Sequence, residues 1–200
     1  APTQVRMMCN SFIDDIEKAS KTSLAENNSL VWSIGDEIRV YTGAESWKSY
    51  KLKETSAGRS QGTFSLTSYK QGADKFYAGL VIYPATSASY VNMEANSTLY
   101  SIVLNLPETQ TYNKNSFASG AFPMTATWNL DNTPISFYNI LGAIKIKLRG
   151  NKKIKSVTIT GHNNESLSGK ANIQARDNIP ELISFTNGKT HVTLDCGENG

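Results

Sequence analysis

The sequence predicts an all-β fold, arranged as an antiparallel two-sheet β-sandwich. About a dozen short runs alternate apolar and polar residues, and turn residues separate them roughly every eight to twelve positions, as in sandwich domains. Of the 200 residues, 39% are hydrophobic and 10% are aromatic, which is enough for a packed core. No segment recurs at a fixed period, so a propeller is not expected. We therefore expect residues 1–200 to form a single domain.

The stretch from 135 to 173 carries the clearest strand pattern. In residues 144–149, IKIKLR, aliphatic and cationic residues alternate, which is the period of a strand with one buried and one solvated face. Turn residues at 150–153 and 161–164 flank a β-branched run at 156–160, and a further strand follows. The pattern predicts an antiparallel three-stranded meander. The side chains expected between the sheets are Ile144, Ile146, Leu148, Val157, Ile159, Leu167 and Ile173, with Lys145, Lys147 and Arg149 in water.

The N-terminal stretch is the most ambiguous part of the chain. Val5, Met7 and Cys9 alternate as in a strand, whereas the apolar spacing around Phe12 would suit one face of a short helix. We predict a strand over most of this stretch, because the sequence downstream has the pattern of a sheet. Residues 20–29 are polar and predict an exposed loop.

The middle of the chain predicts a hairpin and a buried strand. Residues 38–41 and 47–52 alternate on either side of a turn at 42–44. Residues 75–83 become nearly continuously apolar, so we expect burial on both faces, and Pro84 ends the run because it cannot donate to a strand ladder. Other expected features are strands at 31–32, 62–66, 99–106, 124–128, 182–185 and 191–194, an edge position or bulge for 99–106, loops at 85–98 and 108–121, and a hairpin turn at Asn187–Gly188.

Charge and hydropathy exclude several classes of function. The net charge is +3, and the densest cationic run, 145–155, alternates with aliphatic residues as the solvated face of a hairpin does. Aromatic residues do not interleave with these cations, so nucleic-acid binding is not expected. No apolar run approaches the roughly 20 residues of a membrane span, and the first residues lack the apolar core of a signal peptide.

Residues that carry chemistry are sparse and poorly spaced for a site. Cys9 and Cys196 lie near opposite ends of the chain, and we expect two buried thiols rather than a disulfide, which would require neighbouring end strands. His162 and His191 both lie in or beside turns, without ligand spacing. Adjacent carboxylates, as at 36–37, point to opposite faces of a strand, which argues against a glycosidase pair. We therefore predict a non-enzymatic protein with no catalytic residue, metal or cofactor.

Aromatic residues near a turn suggest an alternative function. Trp47 and Tyr50 lie beside the predicted hairpin turn, where we expect exposure, and exposed rings can stack on sugars. Trp32 and Trp128 lie within strands and are expected to be buried between the sheets. Trp47 and Tyr50 are therefore the candidate sugar platform of a carbohydrate-binding surface module.

The order of several short segments resembles a known family. These segments are 21–24 (KTSL), 31–38 (VWSIGDEI), 83–84 (YP), 106–107 (LP) with Gln110 and Tyr112, 124–126 (MTA), 137–139 (FYN), 143–146 (AIKI), 160–161 (TG) and 167–169 (LSG). Together they resemble the N-terminal domain of the fimbrillin-like (Mfa-like) proteins of Bacteroidales, the subunits of type V pili and related surface proteins. The resemblance runs from about Val5 to Cys196.

The resemblance implies a fold, a location and a role. Members of the family are lipoproteins exported to the outer membrane, have two transthyretin-like β-sandwich domains, and assemble by strand exchange after proteolysis near the N-terminal strand. The resemblance implies that this chain is extracellular, anchored in the outer membrane or fimbrial, and that it is a structural or adhesive pilus subunit. Its partners are then other pilus subunits and a surface ligand of unidentified chemistry. Residues 187–200 are expected to lead towards a second domain.

The N-terminal strand is the candidate exchanged strand. It is first in sequence and weakly specified, and its departure would leave an apolar groove bordered by unpaired backbone groups. The residues expected on its core face are Val5, Met7, Cys9 and Phe12. A trypsin-like protease needs a basic residue in an exposed, extended segment. We therefore predict processing at Lys18 or Lys21, beside the polar loop.

Overall fold

The computed structural model is built from β-strands, which confirms the all-β prediction. It describes residues 8–9, 23–24, 30–70, 78–94, 97–114, 117–118, 120–129, 135–144, 146, 148, 153–176 and 179–197. Within these residues the helical structure is limited to one 3-10 turn, Glu54–Ser56. The strands are β1 Met8–Cys9, β2 Ser23–Leu24, β3 Leu30–Val31, β4 Glu37–Gly43, β5 Ser46–Leu52, β6 Phe64–Lys70, β7 Ala78–Tyr83, β8 Ala88–Met93, β9 Tyr100–Leu106, β10 Thr109–Thr111, β11 Met124–Asn129, β12 Phe137–Asn139, β13 Ser156–Thr160, β14 Ser168–Arg176, β15 Ile179–Lys189 and β16 His191–Asp195.

The described strands form several sheets, most of them antiparallel. The largest has seven strands in the order β1-β12-β11-β7-β4-β5-β6, and a second has four in the order β15-β14-β9-β8. A three-stranded sheet, β10-β16-β13, contains the parallel pair β10 and β16. Strands β2 and β3 form a separate pair. Neighbouring strands in the seven- and four-stranded sheets are all antiparallel.

The predicted hairpin and the predicted buried strand are both confirmed. Strands β4 and β5 pair with Glu37 opposite Lys51, where opposite charges face each other across the ladder. Every residue of β7 is buried, because neighbouring strands flank it in the sheet and apolar clusters cover both of its faces. The strand ends at Tyr83, directly before Pro84.

Two apolar clusters cover the two faces of the seven-stranded sheet. Leu80 and Ile82 lie on one face, and Val81 and Tyr83 lie on the other, as the alternation of a strand requires. The first face meets the four-stranded sheet in the inter-sheet cluster, formed by Tyr41, Leu80, Ile82, Val91, Met93, Tyr100, Ile102, Leu104, Leu106, Ile140, Ala171, Ile173 and Ala175. The second face carries the aromatic cluster, formed by Trp32, Ile38, Val40, Tyr50, Leu52, Phe64, Val81, Tyr83, Met124, Ala126, Trp128, Ile135 and Phe137.

Trp32 lies at the centre of the aromatic cluster. Its ring makes edge contacts with Phe64, Tyr83 and Phe137, at centroid distances of 4.9, 5.5 and 6.3 Å. A Cβ at Gly62 would lie 2.7 Å from the Trp32 ring, so the loop before β6 needs a glycine to approach the indole this closely. Trp32 and Trp128 are both buried, as predicted, but they lie in the aromatic cluster and not between the two sheets, and Trp32 follows the end of β3.

The predicted three-stranded meander is wrong. No strand forms at the described positions of 144–149, and Ile144, Ile146 and Leu148 are 73%, 49% and 51% exposed. Strand β13 pairs with the final strand β16, while β14 pairs with β9 and with β15, which directly follows it. Strands β13 and β14 therefore do not pair with each other. Of the other residues expected in the core, Ile173 is buried, whereas Val157, Ile159 and Leu167 are half-buried. Lys145, Lys147 and Arg149 lie outside the described residues.

Several predicted loops and turns differ from the structure. The expected loops at 85–98 and 108–121 contain β8 and β10. Strand β9 lies between β8 and β14 and not at an edge, whereas the other alternative, a bulge, agrees with the irregular register of its pairing with β8 between Ala88 and Tyr90. The predicted hairpin turn at Asn187–Gly188 lies inside β15, with Asn187 in the left-handed region at φ 54°. Strand β16 belongs to a different sheet from β15, so the chain passes from the four-stranded to the three-stranded sheet between these two strands.

Candidate functional site

The predicted exchange strand is represented in the structure by β1. This strand lies at the outer edge of the seven-stranded sheet, where Met8 pairs with Tyr138 and Cys9 pairs with Phe137 of β12. Among the described strands β12 is the one neighbour of β1. The remaining residues predicted for the exchanged strand and for processing, namely Val5, Met7, Phe12, Lys18 and Lys21, lie outside the described residues.

Strand β12 connects β1 to the rest of the sheet. It is three residues long, and it pairs on its other side with β11, with Tyr138 opposite Thr125. Phe137 is 1% exposed and belongs to the aromatic cluster. The outer edge of β12 therefore borders a packed apolar region, and its outward N–H and C=O groups need a strand beside them.

A buried hydrogen bond holds β11 to the four-stranded sheet. The Tyr100 hydroxyl of β9 donates to Oγ1 of Thr125 over 2.8 Å, and both residues are buried. Burial raises the pKa of Tyr100 above its usual range, so the hydroxyl stays protonated and able to donate. Strand β11, which follows β12 in the sheet, is thus tied to the four-stranded sheet by a contact that does not involve β1. The sequence pattern did not identify this pair, because Thr125 and Tyr100 come from strands 25 positions apart.

The two residues of the predicted sugar platform do not share a surface. Trp47 pairs with Tyr41 and packs against the inter-sheet cluster, whereas Tyr50 pairs with Ile38 and belongs to the aromatic cluster. Tyr50 is only 8% exposed, so the prediction that it is exposed is wrong. The cause is the strand alternation, which puts these two residues of β5 on opposite faces of the sheet.

Trp47 is half-buried, and a cation already covers its ring. The guanidinium carbon of Arg39 lies 4.1 Å from the centroid of the indole, in a cation–π contact. Nε of Arg39 also donates to Oγ of Ser49 over 3.1 Å, which fixes the guanidinium in this position. A sugar would have to displace Arg39 in order to stack on this face of the ring.

The titratable residues of the described region form no metal centre. No group of three or more His, Cys, Asp or Glu side chains in that region is arranged to hold a metal ion. His191 Nε2 lies 2.9 Å from Glu108 Oε1, which joins β16 to the residue before β10, and His162 is exposed in a turn. Cys196 is a free, half-buried thiol.

Comparison with known proteins gives no relative: no protein-family model, no curated protein and no solved structure matches this chain. In the part of the chain that the structure describes, no helix has the length and apolar character needed to cross a bilayer. The candidate site therefore rests on the geometry of β1, β12 and β11 together with the buried groups behind them.

Proposed function

We propose that this chain is a structural or adhesive subunit of a cell-surface fimbria, non-enzymatic, which assembles by exchange of its N-terminal strand. The observation that carries the proposal is the position of β1, a strand at the outer edge of the largest sheet, paired along one side with β12. The resemblance to fimbrillin-like proteins supports the same role. On that resemblance, the proposed location is outside the cell, anchored in the outer membrane or within a fimbria, and the proposed partners are other pilus subunits.

Exchange at this edge is energetically feasible because the incoming strand replaces what the departing strand removes. Loss of β1 would expose the outward backbone groups of β12, next to Phe137 and the aromatic cluster. An extended segment from another subunit restores the ladder by β-augmentation. The net change in free energy is then small, while slow exchange makes the polymer long-lived.

The order of strands along the chain also supports processing at Lys18 or Lys21. Both lysines lie in sequence between β1 and β2, which begins at Ser23. A cut at either position separates β1 covalently from the rest of the chain without interrupting a described strand. The ladder of β1 with β12 would then be the contact that retains the strand.

The fold that we propose is a transthyretin-like two-sheet β-sandwich. The support is the inter-sheet cluster, in which Leu80 and Ile82 of the seven-stranded sheet meet Ile102 and Leu104 of the four-stranded sheet. All four of these side chains are at most 1% exposed. Facing apolar surfaces of two antiparallel sheets are the defining contact of a sandwich.

Limited trypsin digestion of the folded chain tests the processing step. We expect early cuts between Lys18 and Leu30, with a folded remainder that keeps its cooperative unfolding transition. The matched control is the Lys18→Gln, Lys21→Gln double variant, which should lose the early cut while the lysines within strands, such as Lys48 and Lys51, remain resistant in both proteins. Resistance of the parent at 18–30, or unfolding after the cut, would rule out this processing point.

A carbohydrate-binding surface module is the alternative function, and the geometry of Trp47 and Tyr50 does not favour it. For this function, the parent protein must bind a glycan, and Trp47→Ala must abolish that binding. For the pilus function, the same substitution leaves assembly intact. A glycan array without hits for the parent would remove the alternative.

A further inference from the structure

The four-stranded sheet has an outer face, which points away from the inter-sheet cluster. Val91 and Met93 of β8 belong to that cluster, so the residues that alternate with them point outward. The same alternation holds along β9 and β14. The outward residues at the centre of this face are Tyr90, Asn92, Val103, Asn105, Asn172 and Gln174. Each of these side chains is exposed or half-buried.

One row of the outer face joins an aromatic ring, an aliphatic side chain and an amide. Tyr90 pairs with Val103, and Val103 pairs with Asn172, so the row crosses β8, β9 and β14. Neighbouring strands lie about 4.8 Å apart, so the row measures about 10 Å between its end strands. Tyr90 is 58% exposed, and none of these three residues carries a charge. The row therefore offers a ring surface and hydrogen-bonding groups to a ligand that is itself uncharged.

Hydrogen bonds fix the orientation of the Asn172 amide. Its Nδ2 donates to Oγ of Ser184 and to Oγ1 of Thr186, over 3.0 Å in both cases, and both partners lie on β15. The amide carries two N–H groups, and these bonds use both of them. Oδ1 is consequently turned away from β15, and its lone pairs can accept O–H groups from outside the sheet. Because this acceptor is already positioned, binding costs less conformational entropy.

A β-bulge fixes the backbone beside Tyr90. The pairing of β8 with β9 shifts its register between Ala88 and Tyr90, so Ser89 is the extra residue. Oγ of Ser89 donates to the carbonyl oxygen of Val103 over 3.2 Å, which ties the bulge to the middle of the row. A tyrosine side chain has few rotatable bonds, so its ring gives a large contact area at a low cost in entropy.

We propose that the outer face binds an uncharged glycan chain. The ring of Tyr90 stacks on the C–H face of one sugar, and Oδ1 of Asn172 accepts a hydroxyl group from the sugar that lies over Val103. The distance of about 10 Å between the end strands of the row is covered by one or two pyranose rings. This inference goes beyond the proposed function and is independent of strand exchange, because none of the three residues belongs to β1 or β12.

The flanking rows explain why the ligand is a chain and not a single sugar. Asn92 and Gln174 both pair with Ser101 in the row on one side, and Asn105 lies in the row on the other side. Side-chain amides donate and accept hydrogen bonds, as sugar hydroxyl groups do. An open face with amides in three successive rows can contact several sugars of one chain, whereas a single sugar would contact only part of it.

Titration of the ¹⁵N-labelled full chain by NMR tests the proposal. The probes are maltotetraose, cellotetraose and mannotetraose, each added separately, with glucose and mannose as the monosaccharide controls. We expect saturable shifts of the Tyr90, Val103 and Asn172 amides with at least one tetrasaccharide, a dissociation constant of about 1 mM, and binding of the monosaccharides weaker by about tenfold or more. The absence of saturable shifts with all three tetrasaccharides, or equally strong binding of the monosaccharides, would overturn the proposal.

Substitutions separate stacking from hydrogen bonding. Tyr90→Ala should weaken binding of the tetrasaccharide by about tenfold, whereas Tyr90→Phe keeps the ring and should change it by less than about twofold. Asn172→Ala should weaken binding by about three- to tenfold. The control is Tyr69→Ala, which removes a 64% exposed tyrosine of β6 and should leave binding unchanged. Unchanged binding in Tyr90→Ala, or equal losses in Tyr90→Phe and Tyr90→Ala, would contradict the site. If Asn172→Ala does not fold, the two Tyr90 variants decide the outcome.

Discussion

The hydrogen bond from Tyr100 to Thr125 joins the two largest sheets, and its removal provides a test of their packing. The two oxygens lie 2.8 Å apart, and Tyr100 and Thr125 are 5% and 0% exposed. Thr125→Val removes the acceptor and leaves the buried phenol without this partner, which we expect to cost about 1–3 kcal/mol of unfolding free energy. Tyr100→Phe removes the donor and should cost about 1 kcal/mol.

The double variant measures the free energy of the hydrogen bond separately from the cost of changing each side chain. Tyr100→Phe with Thr125→Val replaces both polar groups by apolar groups of similar shape, so its cost should fall below the sum of the single costs by about 1 kcal/mol. Urea unfolding measures each cost. With a slope of about 1–3 kcal/mol per molar urea, a loss of about 1.5 kcal/mol moves the midpoint by about 0.5–1.5 M.

A tyrosine without this bond serves as the control. Tyr69 is 64% exposed, and Tyr69→Phe should change the unfolding free energy by less than about 0.5 kcal/mol. The packing of β9 on β11 would be contradicted if Thr125→Val were as neutral as this control. Strictly additive costs of the Tyr100 and Thr125 substitutions would contradict it equally.

Two further outcomes follow from burial. Ile173→Ala should cost about 2–5 kcal/mol of unfolding free energy, whereas Ile144→Ala should cost less than about 0.5 kcal/mol, because these side chains are 1% and 73% exposed. Equal costs in urea unfolding would contradict the exposed position of Ile144 and favour the predicted meander. Burial raises the folded-state pKa values of Tyr83 and Tyr100 above the unfolded value, so stability is full below about pH 10 and falls above it by about 1.4 kcal/mol per pH unit for each tyrosine. Burial also raises the pKa of Tyr50, so Tyr100→Phe should reduce this fall without abolishing it. Unfolding curves from about pH 9 to about pH 11 measure the fall, and an unchanged slope in the variant would contradict the reasoning.

Local patterns in the sequence predicted those strands whose partners lie close by. The hairpin of β4 and β5 followed from alternation on either side of a short turn, and the burial of β7 followed from its continuous apolar run. Both features are encoded within the segment itself. The sequence therefore predicted the central strands of the seven-stranded sheet, although it did not predict their order.

The strand partners at the C-terminal end required information that local patterns do not contain. Residues 144–149 have a strand-like period, but the period does not say which strand pairs with them, and β16 takes the place beside β13 that the meander assigned to them. Alternation also leaves open which of two faces is covered. Tyr50 was expected in solvent because it lies beside a hairpin turn, although both faces of its sheet carry a cluster.

The candidate site was predicted in part. The sequence identified Cys9 as part of an N-terminal strand, and the structure places Cys9 in β1 at the edge of the sheet. Its partner β12 is too short for a period to be recognised, and the hydrogen bond from Tyr100 to Thr125 joins positions 25 residues apart. Contacts of this kind depend on the tertiary packing of distant segments.

The most direct test of strand exchange is the binding of a replacement strand to the processed domain. The chain is cut with trypsin, the protease is inhibited, and the folded remainder is incubated with a labelled synthetic peptide of residues 1–18 and, separately, with a scrambled peptide of the same composition. We expect slow, saturable incorporation of the native peptide, which survives size-exclusion chromatography and is blocked by excess unlabelled peptide. A folded remainder that takes up the native peptide no better than the scrambled one would contradict exchange at the edge of β12.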